Sequence, residues 1–149
     1  MDWNWSRFDA LGVDNLYDAL ALRSHVFGLE QHCVYVDPDG ADRHCWHLLG
    51  RDGSGSLQAY LRIVDAGVKF PELSMGRVVT HMQCRATGMG RRLVGEAMRW
   101  LDDHAPGQPV RIAAQAHLQR FYATFGFAPV GETYLEDDIL HIDMLRATP

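Results

Sequence analysis

The residues best suited to chemistry in this sequence lie in a short segment between an apolar run and an amphipathic one. The segment contains two glycines, Gly88 and Gly90, and three arginines, Arg85, Arg91 and Arg92. Glycine permits a sharp turn and a close approach of backbone to a ligand, and the first N–H groups of a helix have no partner inside the helix. Together with the helix dipole, such a segment forms an anion site that fits a diphosphate.

This segment differs from two common nucleotide-binding fingerprints. No Gly-Lys-Ser/Thr follows the glycines, which excludes a P-loop. The third glycine of the dinucleotide-binding fingerprint is missing. Because two glycines before a helix also occur in an ordinary tight loop with surface arginines, the segment alone leaves both interpretations open.

The elements that must position this segment follow from the hydrophobic pattern. Alternating or buried apolar runs predict strands over 3–8, 46–49, 57–64, 73–80, 110–114, 127–135 and 139–145. Apolar residues at helical spacing predict helices over 14–31, 88–104 and 116–124. The order β-α-β-β-β-α-β-α-β-β indicates an α+β fold, an α/β sandwich with a mixed sheet and helices on its faces.

Local signals mark the ends and the buried faces of the helices. Asp14 is predicted to cap the first helix, and Gly126 to end the third. The second helix carries the clearest apolar stripe, formed by Leu93, Val94, Ala97 and Leu101. This stripe predicts the face that packs on the sheet.

Composition restricts the class of protein. The 149 residues fit one domain, 1–149, and 47% hydrophobic with 22% charged residues is typical of a globular protein. No apolar run reaches the roughly 18–20 residues that span a bilayer. The first residues lack the pattern of a signal peptide. We therefore expect a cytoplasmic protein that does not associate with membranes.

The charge argues against one class of partner, and the cysteine content argues against disulfide bonds. The formal net charge is -5 and no long Lys/Arg run exists, so nucleic acid is not an expected partner. The three cysteines, Cys33, Cys45 and Cys84, form no CxxC pair. Their odd number argues against a disulfide framework and agrees with a reducing compartment.

Three segments of the sequence carry a resemblance to a known family. Arg85-x-x-Gly88-x-Gly90 matches the Q/R-x-x-G-x-G/A pattern of GNAT acetyltransferases, and it lies between a predicted strand and a long predicted helix. The segment 118–127, with Tyr122 and a final Gly-Phe, resembles the second signature of the family. The segment 134–144 is similar to its terminal hairpin. The chain is thus identified as a member of the GNAT superfamily, whose sheet is mostly antiparallel with helices on both faces.

The resemblance is closest to the ElaA-like group of this superfamily. It rests on the segments 22–27, 30–40, 76–79 and 114–119 and covers nearly the full length. Three positions depart from the usual pattern: Ala86 replaces a glycine, Thr80 an aliphatic residue and Gln115 an asparagine. None of these changes removes a backbone donor.

The resemblance implies that acetyl-CoA is the co-substrate and that no metal takes part. The strand ending at Val78-Val79-Thr80 would pair with the pantetheine arm, and the glycine-containing segment would hold the pyrophosphate. The implied cofactor-binding residues are Val78, Val79, Thr80, Arg85, Ala86, Thr87, Gly88, Met89, Gly90, Arg91 and Gln115. Tyr122 would be the catalytic general acid that protonates the departing thiolate, because a phenol pKa of about 10 suits this step.

The acceptor and the general base are left open. The acceptor is expected to be a small-molecule or peptide amine that attacks directly, in a cleft built from residues 23–47 and 131–141. Six residues are candidates for the base: Glu30, His44, His47, His81, His117 and Glu136. A homodimer through a sheet edge or the last hairpin is compatible with this layout, but no sequence feature demonstrates one.

The sequence also contains residues that could be interpreted as a metal site or a catalytic cysteine. A zinc site would use residues among His32, Cys33, His44, Cys45 and His47, but their spacing is poor. Residues 37–42 have a passing likeness to a calcium loop without its closing Glu, so a turn is expected there. Cys84 with His81 could suggest a covalent mechanism, although we interpret Cys84 as a bystander. The rival function is a non-catalytic sensor or interaction module that binds acetyl-CoA.

Overall fold

A single eight-stranded sheet organises the fold. A computed structural model describes residues 1–147. The strands are β1 (Asp2–Arg7), β2 (Cys45–Arg51), β3 (Leu57–Val64), β4 (Leu73–Thr80), β5 (Val110–Gln115), β6 (Ala128–Pro129), β7 (Tyr134–Glu136) and β8 (Ile139–Arg146). Their spatial order is β1-β2-β3-β4-β5-β8-β6, and β7 also pairs with β8. Since β4 and β5 run parallel and the other pairs antiparallel, the expectation of a mixed, mostly antiparallel sheet is confirmed.

The end of the chain differs from the prediction of one strand over 127–135. Two short strands, β6 and β7, occupy this stretch and are separated by a break around Gly131, which has a φ of 79°. The break is required because β6 pairs with the end of β8 while β7 pairs with its beginning. Asp137 and Asp138 then form a two-residue turn, and both adopt the positive φ that such hairpin turns need.

The helices agree with the predicted positions in outline. They are α1 (Phe8–Leu11), α2 (Val13–Arg23), a π-helical segment (Ser24–Glu30), α3 (Met89–His104) and α4 (Gln119–Ala123). Short 3₁₀ turns cover Ala41–His44, Met82–Cys84 and Ala116–Leu118. The single helix predicted over 116–124 is therefore a 3₁₀ turn followed by α4. No helix among residues 1–147 combines the length and the apolarity that crossing a membrane requires.

The first long helix corrects two details of the sequence interpretation. The predicted stretch is helical, but it widens into π-helical turns from Ser24 onward. Asp14 does not cap it: Gly12 occupies the cap position with a φ of 84°, and Asp14 lies in the first turn. Only a residue that tolerates positive φ can redirect the chain between α1 and α2, which explains why Gly12 wins over Asp14.

The two faces of the sheet bury separate apolar clusters. The predicted stripe of α3 is confirmed, since Leu93, Val94, Ala97 and Leu101 are buried against one face. The other face packs against α1, α2 and the π-helical segment. Neighbouring strand residues point to opposite faces, so that Leu48 belongs to one cluster and Leu49 to the other. Helices therefore lie on both faces, as expected.

Candidate active site

A wedge-shaped cleft opens where β4 and β5 separate. The two strands pair only at Leu73–Val110 and Ser74–Arg111, whereas β5 pairs along its whole length with β8. Beyond Ser74, the edge of β4 that faces β5 has no strand partner among the described residues. A cavity of about 620 Å³ lies in the wedge, within the size range of small-molecule sites. Because unpaired backbone groups must find a partner, this edge is suited to an extended ligand.

The predicted strand residues lie along this edge. Val78 lines the cavity, while Val79 is buried on the opposite face of the sheet. The carbonyl of Thr80 accepts a hydrogen bond of 3.2 Å from Arg85. Thr80, which replaces the usual aliphatic residue, pairs with Ala59 of β3. This pairing defines the register of β4 against β3 at that position.

The predicted glycine segment forms a loop at the head of α3, called here the glycine loop (residues 81–91). The backbone N–H groups of residues 86–91 donate no hydrogen bond to any of residues 1–147. Two residues of the loop adopt positive φ, Ala86 at 61° and Gly88 at 83°. Successive free amides in such a conformation form an anion-binding concavity, and the dipole of the 16-residue helix adds to it.

The arginines of the glycine loop already have partners within the protein. Arg85 forms an ion pair with Glu30 at the end of the π-helical segment. The hydrogen bond from Arg85 lowers the pKa of the Glu30 carboxyl. Arg91 lies over the rings of Phe121 and Phe125, 5.6 Å from each centroid. The six free amides, rather than the arginine charges, are therefore the main feature available to an anion.

Tyr122 reaches the cavity from α4. Its side chain is 7% exposed and is packed edge-on against Phe121 and Phe127. Tyr122 lines the cavity, and its hydroxyl makes no hydrogen bond to any side chain or backbone group of the described chain. Burial raises the pKa of the phenol to about 12, so the group keeps its proton at neutral pH. A protonated, unengaged phenol can donate to a group that enters the cleft.

Gln115 lies at the end of β5 and also lines the cavity. Its side-chain amide donates a hydrogen bond of 3.0 Å to Gln31, which follows the π-helical segment. Gln115 therefore lies at the cleft, as the sequence predicted, but its side-chain amide is already hydrogen-bonded to Gln31.

The six candidate bases are dispersed, and only Glu136 lines the cavity. Glu30 is held by Arg85, and His81 accepts a hydrogen bond from the Gln83 amide. His47 is fully buried, where it contacts Tyr60 and the Asp42 carbonyl, and burial lowers its pKa. His44 and His117 are exposed and do not line the cavity.

Sequence analysis missed His141 as a candidate. His141 lines the cavity, stacks on Tyr134 at 6.0 Å and lies 4.0 Å from the Glu136 carboxylate. Its Nδ1 contacts the carbonyl oxygen of Ile139 at 2.7 Å, and since a carbonyl only accepts, Nδ1 must carry the hydrogen. In the neutral imidazole, Nε2 is then the nitrogen that can accept a hydrogen bond. The strand alternation that places residues 134, 136, 139 and 141 on one face was the available signal.

The wall opposite β4 is built by a segment called here the aspartate loop (residues 34–42). No backbone-to-backbone hydrogen bond joins residues 34–39 to the rest of the described chain. Instead, the three carboxylates of the loop bind arginine side chains from three different elements. These pairs are Asp37 with Arg23 and Arg77, Asp39 with Arg62, and Asp42 with Arg23 and Arg62.

This network corrects the view of residues 37–42 as a plain turn. Arg23 and Arg62 are 0% and 1% exposed, so the loop is anchored by buried charges. The likeness to a calcium loop is accidental, since the carboxylates are already occupied by guanidinium groups. Sequence patterns did not predict these ion pairs, because the arginines and their partners lie up to 40 positions apart.

The zinc and cysteine alternatives find no support in the geometry. Both ring nitrogens of His47 have protein partners, and Cys45 donates to the Ala41 carbonyl. Over residues 1–147, no group of three His, Cys, Asp or Glu side chains is arranged to hold a metal ion. The Cys84 thiol donates to the side-chain oxygen of Gln58 at 3.0 Å, and Cys84 meets His81 only through a backbone hydrogen bond.

Comparison with known proteins agrees with this geometry. The model of an acetyltransferase (GNAT) domain matches residues 54–147. Protein ElaA of Escherichia coli strain K12 is 39% identical over 148 residues, which cover 98% of this chain and 96% of ElaA.

Two crystal structures are similar over almost the whole chain. An acyl-CoA N-acyltransferase from Pseudomonas aeruginosa has a TM-score of 0.92 and 40% identity, with 99% of this chain and 100% of that chain covered. Escherichia coli ElaA has a TM-score of 0.90 and 39% identity, with 97% and 98% covered. The chain is thus similar to ElaA over nearly its full length, in sequence and in structure. It belongs to the GNAT acetyltransferase family, in the group that includes ElaA.

Proposed function

We propose that this protein transfers an acetyl group from acetyl-CoA to a primary amine by direct attack, without an acyl-enzyme. One observation carries the proposal. The unpaired edge of β4 lies in the wedge with the buried, protonated Tyr122, and β4 leads directly into the glycine loop with its six free amides at a helix N-terminus. These three features match the three parts of a thioester of CoA: its amide-containing arm, its pyrophosphate and its leaving sulfur.

The donor would lie along β4. The pantetheine arm pairs with the free edge near Val78, and the pyrophosphate binds the amides of the glycine loop. Arg85 can leave Glu30 or share the anion, because its side chain is 43% exposed. The acyl carbon is then held in the wedge between β4 and Tyr122.

An amine that arrives as a cation first releases a proton to water, and the neutral amine then needs one attack and two further proton movements. The amine lone pair attacks the thioester carbonyl carbon, and a backbone N–H of β4 stabilises the developing oxyanion. The C–S bond breaks, and Tyr122 gives its proton to the departing thiolate. His141 Nε2, the acceptor nitrogen on the facing wall, takes the proton that the amine loses.

The acceptor would enter between the aspartate loop and the β7–β8 hairpin. The cations that line the cavity, Arg62, Lys69 and Arg77, are all paired with aspartates of the loop. Glu136 and Asp137 line it without an Arg or Lys partner among the described residues. The uncompensated charge of this wall is therefore negative, which favours a small-molecule or peptide amine that arrives as a cation.

The experiment is acetyl-CoA titration calorimetry followed by measurement of CoA-thiol release against a panel of amines. Replacing Tyr122 by Phe is expected to lower kcat by about 10²- to 10⁴-fold while leaving the acetyl-CoA Kd unchanged. Tyr17→Phe, at a tyrosine that is 75% exposed, serves as the matched control and should not alter turnover.

The outcomes separate the two functional classes. Binding with thiol release supports the transferase. Binding without release from any amine would favour the sensor, and an unchanged kcat in Tyr122→Phe would remove Tyr122 from its role. Absence of acetyl-CoA binding would contradict the proposal as a whole.

A further inference from the structure

Strand β4 contains a bulge at Arg77 in its pairing with β3, along the stretch whose other edge the donor would use. Tyr60 of β3 pairs with Val79 and Arg62 pairs with Gly76, so β4 carries one extra residue over this interval. Arg77 adopts a φ of 51°, which is uncommon for a residue with a side chain. The bulge lies beyond Ser74, where β4 has already left β5. Backbone strain of this kind is maintained only when the surroundings hold it in place.

The Arg77 side chain extends from this bulge to the aspartate loop. Its Nε donates to the Asp37 carboxylate at 2.9 Å, and its terminal nitrogen donates to the Asp37 carbonyl at 3.1 Å. The guanidinium also lies over the rings of Tyr35 and Phe27, at 5.2 and 5.9 Å. One side chain therefore joins the donor strand to the facing wall of the cleft.

The aspartate loop depends on such contacts for its position. Residues 34–39 make no backbone-to-backbone hydrogen bond with the described chain, so their conformation is held by side chains. Asp37 has two anchors, since Arg23 binds its other carboxylate oxygen at 2.8 Å. Arg23 belongs to α2 and is independent of β4. Removing Arg77 would thus leave the loop attached to the body of the protein but disconnected from the donor strand.

We propose that Arg77 is a positioning residue that couples acetyl-CoA binding on β4 to the ordering of the aspartate loop. The inference rests on the proposed function, because it takes β4 as the donor site. A donor paired with β4 fixes the backbone at the bulge, which fixes the direction of Arg77 and hence the place of Asp37. Tyr35, Val36 and Asp39 line the cavity, so ordering this loop completes the acceptor wall. Because coupling is reciprocal, an ordered loop also strengthens donor binding.

The test is hydrogen–deuterium exchange of the full chain with and without saturating acetyl-CoA, at concentrations set by each variant's own Kd. In the wild-type protein, amides of residues 34–40 should exchange more slowly with acetyl-CoA by about fivefold or more, the lower end of usual coupling between sites. In Arg77→Gln, this slowing should disappear, while the amides of the glycine loop remain protected by the ligand. Arg77→Lys, which keeps one charged donor, should recover part of it.

A matched control is Arg7→Gln. Arg7 also makes a bidentate pair, with Asp65, but at the far side of the sheet, so this variant should keep the wild-type response. The proposal is overturned if acetyl-CoA protects the glycine loop of the wild-type protein but not residues 34–40. It is equally overturned if Arg77→Gln keeps the loop response, or if that variant no longer binds acetyl-CoA, since Arg77 would then be part of the binding site. If the wild-type protein binds no acetyl-CoA, the proposed function itself has failed.

Discussion

Two loops of this molecule, the glycine loop and the aspartate loop, are stabilised in different ways. The glycine loop has six backbone amides without acceptors, two positive φ angles and mostly exposed side chains. The aspartate loop has no backbone hydrogen bonds over residues 34–39, but its carboxylates are held by buried arginines. The first loop leaves backbone donors for a ligand to satisfy, whereas the second is held in place by its carboxylate side chains.

This difference teaches what each loop contributes. Unsatisfied donors at a helix N-terminus cost little when exposed to water and become valuable when an anion replaces the water. Buried charges are strongly destabilising unless each is paired, so the pairs with Arg23 and Arg62 hold the aspartate loop to the body of the protein. We therefore assign ligand binding to the glycine loop and the shape of the acceptor wall to the aspartate loop.

The largest expected effect comes from breaking the network of the aspartate loop. Arg23 and Arg62 both donate to the same oxygen of Asp42 at 2.8 Å, and both are buried. Asp42→Asn keeps the shape but leaves two buried guanidinium groups with less countercharge. We expect the free energy of unfolding, measured in urea, to fall by about 3–5 kcal/mol.

Arg92→Gln, an exposed change of one charge next to the glycine loop, is the control and should alter stability by less than about 0.5 kcal/mol. If Asp42→Asn and Arg92→Gln lowered the free energy of unfolding by similar amounts, the contrast between the two loops would be wrong. The dependence of stability on pH provides a second test. Burial alone would raise the pKa of Asp42, but the hydrogen bonds and charges of Arg23 and Arg62 outweigh burial and lower this pKa below the usual 3.8. The stabilisation is thus present above pH 3.8 and is lost as the pH falls further, which Asp42→Asn should not reproduce.

A smaller effect is expected from strain in the glycine loop. Gly88 has a φ of 83°, and no atom lies within 4 Å of where a Cβ would be, so backbone conformation alone opposes a side chain. Gly88→Val should cost about 1–2 kcal/mol in the loop conformation that binds the ligand. The acetyl-CoA Kd from calorimetry should rise by about 5- to 30-fold.

Gly53→Ala provides the comparison, because Gly53 lies in an exposed turn without positive φ and has equally open surroundings. Its Kd should match the wild-type value. An unchanged affinity in Gly88→Val would contradict the assignment of ligand binding to this loop.

The smallest effect concerns Ala86, the residue that replaces the usual glycine. Ala86 has a φ of 61°, so Ala86→Gly should relieve strain in the folded protein while making the unfolded chain more flexible. We expect stability to change by less than about 1 kcal/mol and the acetyl-CoA Kd to stay within about threefold of wild type. A large loss of affinity would show that the alanine side chain itself contacts the ligand.

Sequence patterns were most informative where the signal is local. The α3 stripe repeats at helical spacing, and the glycine loop joins a strand to that helix, so both could be located without the structure. Tyr122 was indicated by the resemblance of the segment 118–127 to the second signature of the family. These features depend on neighbours within a few positions of the chain, which is the range over which turns, caps and amphipathic faces are specified.

Other features were decided only by tertiary structure. The bulge at Arg77 requires β3 to pair with β4, and the role of Asp37 requires α2 and β4 to meet at one carboxylate. His141 becomes a candidate only when β7 and β8 form the wall of the cavity. Charged residues far apart in sequence carry no pattern of their own, because pairing energy depends on distance and burial rather than on spacing. The sequence by itself determined the family fold and the position of the glycine loop, and tertiary packing decided which charged side chains meet at the aspartate loop.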